Sequence, residues 1–134
     1  MDALGEILDS VDSIVVVGCS TDPSKAAHSV PARMQQAGWK IIPVHPTADE
    51  ILGERAYRRI ADVPGPIEMV DVFRPPAQAA GVAAEAAAAG ARILWLQLGI
   101  ASDEARRIAD EAGMTYVEDA CLAVVQAANH LVKA

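Results

Sequence analysis

Cysteine is nearly missing from this chain: Cys19 and Cys121 stand about a hundred residues apart, with no C-x-x-C and no paired histidine spacing. That excludes a disulfide framework and a zinc-ligand pattern, and the expectation is two reduced thiols, buried or half-buried. Aromatic residues are scarce at 4%, while 52% of the chain is hydrophobic. Alanine supplies much of that share, which points to a globular protein with closely packed helices. Basic residues are outnumbered, 11 Lys and Arg against 18 Asp and Glu, for a net charge of −7. A general affinity for nucleic acid or acidic membranes needs a basic field, so any anionic ligand must be held by a local cluster. No run is long and apolar enough to cross a bilayer, because the stretch Ala77 to Ala91 is weakly hydrophobic and holds Glu85. The opening Met1-Asp2-Ala3-Leu4-Gly5-Glu6 is acidic and lacks the order of a signal peptide, so the expected location is the cytoplasm. Also missing are a G-x-S-x-G elbow, a Walker loop, an H-E-x-x-H pair and the G-x-G-x-x-G spacing of a dinucleotide site.

What is present is a regular alternation of elements over 134 residues, a length that suits one domain. Ser13-Ile14-Val15-Val16-Val17-Gly18 is a β-branched run closed by glycine, the pattern of a strand covered on both faces. A polar loop follows, then a helix expected to begin near Ser29 and to stop at Gly38. Lys40 to Pro46 reads as a second strand whose two prolines point to a position with unused backbone donors. A polar segment, Thr47 to Pro66, is expected to hold a short helix around Tyr57 to Ala61. Met69 to Phe73, Ile93 to Gly99 and Thr115 to Glu118 are three further strands. Helices over Gln78 to Ala89, from Ser102 to Gly113 and from Cys121 to Val132 complete the order. Strands and helices at this spacing make right-handed βαβ units, so the fold class expected is α/β, a single Rossmann-like three-layer domain with a five-stranded parallel sheet.

In such a sheet a ligand binds outside the carboxyl ends of the strands, near the switch point. The residues to read there are Gly18 to Ser29, His45-Pro46, Phe73-Arg74, Gln97-Leu98-Gly99 and Asp119-Ala120-Cys121. Gly18 lets a ligand approach the backbone, Ser20, Thr21 and Ser29 offer hydroxyls, and the helix start presents free N–H groups to an anion. Lys25 and His28 add positive charge to the same loop, which is longer than the usual two to six residues. Arg74, its backbone stiffened by Pro75 and Pro76, is placed to pair with phosphate through its planar fork. The bland alternatives are an ordinary capped βα loop and a surface ion pair. A dinucleotide reading wants a carboxylate after the second strand, where this chain has His45, so NAD is disfavoured.

Taken together, "VVVGCS", "IIPVHP", "ILGERAY", "DVFRPP", "ILWLQLGI" and "YVEDACLAV" resemble the small stand-alone CoA-binding proteins. These are relatives of the CoA-binding domain at the N-terminus of the succinyl-CoA synthetase α subunit. The resemblance runs from about Ile14 to Val124, with "DVFR" and "WLQLG" its more specific blocks. It implies a Rossmann-like fold that binds coenzyme A, with the contacts falling on Gly18, Ser20, Lys25, Ser29, Pro43, His45, Phe73, Arg74, Gln97, Leu98 and Gly99. Cys19 and His28 join them from the loop reading. The chain departs from the family at His45, where asparagine or serine is common, and at Ala120, where a basic residue is common. No segment matches the phosphohistidine region of the synthetase, so ligase activity is not implied.

The leading expectation is a CoA- or acyl-CoA-binding protein without its own catalysis, taking a small-molecule ligand and neither nucleic acid nor membrane. The alternatives are an enzyme acting on an acyl-CoA or nucleotide through Cys121 or His45, and an NAD(P)-binding redox regulator. A fold alone does not choose among them.

Overall fold

The computed structural model describes residues 1–134. Five strands, β1 (Ser13–Val17), β2 (Lys40–Val44), β5 (Met69–Val72), β6 (Ile93–Leu96) and β7 (Thr115–Val117), form one parallel sheet in the order β2-β1-β5-β6-β7. The expected three-layer α/β fold is therefore present. A two-stranded antiparallel hairpin, β3 (Glu50–Ile51) with β4 (Glu54–Arg55), lies beside the edge strand β2. The helices are α1 (Ala3–Asp9), α2 (Ala26–Gln36), α3 (Pro76–Ala88), α4 (Asp103–Glu111) and α5 (Leu122–Ala128).

Alternation along each strand divides the core in two. Ile14, Val16, Met69, Ile93 and Trp95 pack with Leu8, Met34 and Leu122 on the face covered by α1, α2 and α5. Val15, Val17, Val70, Val72, Leu94 and Leu96 pack on the opposite face with Ala79, Ala83, Ala86, Ala105 and Ala109 of α3 and α4. The alanine bias thus lies where α3 and α4 meet each other and the sheet, because a methyl group permits close approach. The edge position of β2 explains Pro43: its missing N–H is tolerated there, and its carbonyl accepts from the Tyr57 N–H at 2.9 Å.

Several expected boundaries move. Helix α2 begins at Ala26 rather than near Ser29, with Lys25 at the cap position and no side-chain cap. The short helix expected around Tyr57 to Ala61 is a single 3-10 turn, Ile60–Asp62. Helix α5 stops at Ala128, four residues early, because His130 takes a left-handed conformation (φ 52°) that a helix cannot continue through. Helix α1 and the hairpin were not expected from the sequence. Helix α1 is capped by the Asp2 carboxylate, which accepts from the Gly5 N–H at 2.8 Å.

Candidate functional site

The chain runs from β1 outward to β2 and then returns to the other side of β1 as β5, so the strand order reverses between β1 and β5. That reversal opens a crevice at the carboxyl edge. Gly18 has φ 84°, and a Cβ built on it would collide with the Phe73 carbonyl oxygen. Glycine therefore allows the loops after β1 and β5 to touch, and this contact holds Phe73 and Arg74 against the first loop.

A cleft of about 320 Å³ lies at this point, lined by Gly18, Cys19, Ser20, Lys25, Ala27, His45, Pro46, Phe73 and Arg74. Seven of the sequence-derived candidates come together here: Gly18, Cys19, Ser20, Lys25, His45, Phe73 and Arg74. His28, Ser29, Pro43, Gln97, Leu98 and Gly99 do not line it. His28 and Ser29 are inside the first turns of α2, and Pro43 is buried in β2. The Gln97 side chain is turned inward, where its Oε1 accepts from the Leu122 N–H at 3.1 Å and holds the start of α5. The Gly99 N–H donates to the Asp119 carboxylate at 2.7 Å, and Leu98 is exposed.

The first loop is pre-formed. Ser20 Oγ accepts from the Asp22 N–H at 3.0 Å, and Asp22 accepts from the Ser24 N–H and hydroxyl at 2.9 and 2.7 Å. These bonds from Ser24 hold the Asp22 carboxyl below its ordinary pKa. Downstream, α2 starts without a side-chain cap, so the N–H groups of Ala26 and Ala27 stay available beside Lys25, while that of His28 donates to the Lys25 carbonyl at 3.0 Å. Neither Lys25 nor Arg74 has a carboxylate within 4 Å.

His45 is fixed through one ring nitrogen. Its Nδ1 accepts from the Thr47 and Ala48 N–H groups at 3.0 and 2.8 Å, which assigns the proton of the neutral ring to Nε2. The donor that His45, a residue of the cleft lining, can offer is therefore Nε2–H. Arg58 braces the same segment, bonding the carbonyls of His45 and Ala48 and pairing with Asp49 at 2.7 Å.

Below the first loop lies a group that sequence reasoning missed. Asp71, on β5, is completely buried and both carboxylate oxygens lack a hydrogen-bond partner. Burial pushes its pKa well above the ordinary 3.8, opposed only by the Val72 N–H, which does not reach hydrogen-bonding geometry. The nearby Cys19 thiol is pushed up to about 12, by burial first and by Asp71 second. The signal for Asp71 in the sequence was a lone acid within the apolar run "MVDVF".

A parallel sheet with a crevice at its switch point is the architecture of the nucleotide-binding α/β proteins. The chain belongs more narrowly to the CoA binding domain family, which matches residues 12–127. It is 42% identical to the uncharacterized Bacillus subtilis protein YneT over 122 residues, 91% of this chain and 90% of that one. A solved Thermus thermophilus protein superposes with a TM-score of 0.89 at 34% identity, covering 96% of this chain and 98% of its own. The α subunit of an ADP-forming acetate–CoA ligase II from Pyrococcus furiosus is 25% identical over 84% of this chain. The aligned region spans only 27% of that subunit.

Proposed function

We propose that this protein binds coenzyme A or an acyl-CoA at the carboxyl edge of the sheet, without performing chemistry on it. The observation that carries the reading is the cleft in which Lys25, Arg74 and the uncapped start of α2 border one space that no carboxylate lines, the nearby Asp22 being bonded to Ser24 and outside the lining. In a chain of net charge −7, uncompensated cations gathered at a switch point suit a phosphorylated ligand. The His45 Nε2–H adds a donor where a dinucleotide site wants a ribose-binding carboxylate.

The groups at the cleft are poorly suited to catalysis. Cys19 is held as a thiol by burial, and His45 Nδ1 already accepts two N–H groups, so the pair offers neither an activated nucleophile nor a free base. Cys121 lies outside the cleft lining. Ligase chemistry in the acetate–CoA ligases involves chains far longer than the region shared with this one.

Titration calorimetry with CoA and NAD tests the reading. CoA is expected to bind more tightly, and NAD binding equally well or better overturns it.

A further inference from the structure

A second cleft, of about 390 Å³, opens on the other side of Arg74. Its floor is the carboxyl ends of β1 and β2, at Val17 and Val44, and its walls carry Arg58, Arg59 and Gln78 as well as Arg74. Arg58 is occupied by Asp49 and two carbonyls, but Arg59 and Arg74 have no carboxylate within 4 Å. One carboxylate, Glu85, lines the cleft and makes no ion pair. Gly81 on α3 keeps that wall open, since a Cβ there would meet nothing within 4 Å.

Arg74 thus stands between two spaces, with Lys25 and the start of α2 on one side and Arg59 on the other. A ligand with a single diphosphate needs only the first. Arrangements of this kind fit a ligand that carries a second, separate anion. A phosphomonoester is well suited, because it bears nearly two charges at neutral pH and three acceptor oxygens for arginine forks.

We propose that the Arg59–Arg74 cleft is a phosphomonoester subsite that receives the ribose phosphate of CoA and makes the protein discriminate against dephospho-CoA. The inference rests on the CoA reading above. Arg59 is its specific residue: it lies just before the Ile60–Asp62 turn and does not line the first cleft. Glu85 opposes the same phosphate.

The test is calorimetry of CoA and dephospho-CoA against the parent, Arg59→Ala and Glu85→Gln. The parent is expected to prefer CoA by roughly tenfold or more, the scale of one charge-assisted bond. Arg59→Ala should remove most of that preference by weakening CoA alone, and Glu85→Gln should increase it. Both substitutions are at exposed side chains, and a melting curve for each verifies folding. Equal binding of the two ligands to the parent, or an Arg59→Ala protein that keeps the preference, overturns the subsite and leaves CoA binding standing. Failure of both ligands to bind the parent overturns the CoA reading and the subsite with it.

Discussion

The two ends of the sheet hold their charged groups differently. At the amino end, the Glu68 carboxylate accepts from the Asp12 N–H, the Ser13 N–H and the Ser13 hydroxyl at 3.2, 3.1 and 2.6 Å, and pairs with Arg92 at 3.4 Å. Lys133 sits between Asp9 and Asp12 at 3.5 and 3.4 Å, above the Trp39 ring, whose Nε1–H donates to the Val11 carbonyl at 2.9 Å. At the carboxyl end Arg58 pairs with Asp49 and Arg106 with Glu118, but around the two clefts Lys25, Arg59 and Arg74 have no such partners, and α2 begins without a side-chain cap. The amino end is closed upon itself and serves stability. On the proposed function, the polar groups left open at the other end are those that a ligand would complete.

The largest effect on stability is expected from Asp71, the buried acid of the carboxyl half. In the unfolded chain its carboxyl ionises at the ordinary value of 3.8, whereas burial in the folded chain keeps it protonated well above that. Below pH 3.8 both states hold the proton and there is no penalty. As pH rises toward the raised folded value, the unfolded state alone releases its proton, so stability falls through that window. Asp71→Leu, of similar shape and without polar atoms to bury, should raise the melting temperature at pH 7 by several degrees and narrow its advantage toward pH 3. A variant less stable at pH 7 would mean that Asp71 gains an interaction within the fold that offsets its burial.

Next in size is the pairing of one substitution from each end. Arg74→Ala should weaken CoA binding by roughly 1.5–3 kcal/mol, the loss of a charge-assisted bond, and leave the melting temperature unmoved. Its binding should also become less dependent on salt. Glu68→Ala strips three donors of their acceptor, so stability should drop by about 1–3 kcal/mol with CoA affinity unchanged. Thermal melts and calorimetry on both proteins separate the outcomes. If Arg74→Ala destabilises the fold or Glu68→Ala weakens binding to the same degree, the division between the ends fails.

The carboxyl end was legible in the sequence where local chemistry marks it. A β-branched run in β1, apolar runs in β5 and β6 and the shorter segments of β2 and β7 located the five sheet strands, and the glycine after β1 with the Arg-Pro-Pro after β5 pointed to the crevice. The start of α2 was not legible, because Lys25 has no side-chain oxygen to act as a recognisable cap. Nor was the hairpin: its turn puts Leu52 and Gly53 at φ 56° and 74°, where Asn-Gly would have been the visible signal. Helix α1 did leave a signal, an Asp2 cap ahead of Leu4, Ile7 and Leu8 at helical spacing, though over just seven residues. Arg59 left none, because only the packing of the Ile60–Asp62 turn against α3 brings it beside Arg74. Gln97 gave a different difficulty. Its place after β6 marked it for the ligand, and its Oε1 also serves the fold by accepting from the Leu122 N–H.

The smallest effect separates the two thiols, and it bears on whether the open end does more than bind. Cys19 lines the first cleft, yet it is buried and its pKa is pushed up to about 12, so little thiolate exists at neutral pH. Cys121 is half-buried, stands at the cap position of α5 and lies outside that cleft. Alkylation at pH 8 followed by mass spectrometry should therefore label Cys121 first and Cys19 slowly, and saturating CoA should leave the Cys121 rate within about twofold, far less than the decade that 1.4 kcal/mol of burial would give. Mild oxidation with CoA present should give no mixed disulfide at Cys19. Strong protection of Cys121 by CoA, or a CoA adduct on either cysteine, would bring a thiol into contact with the ligand and turn a binding site into a candidate for thioester chemistry.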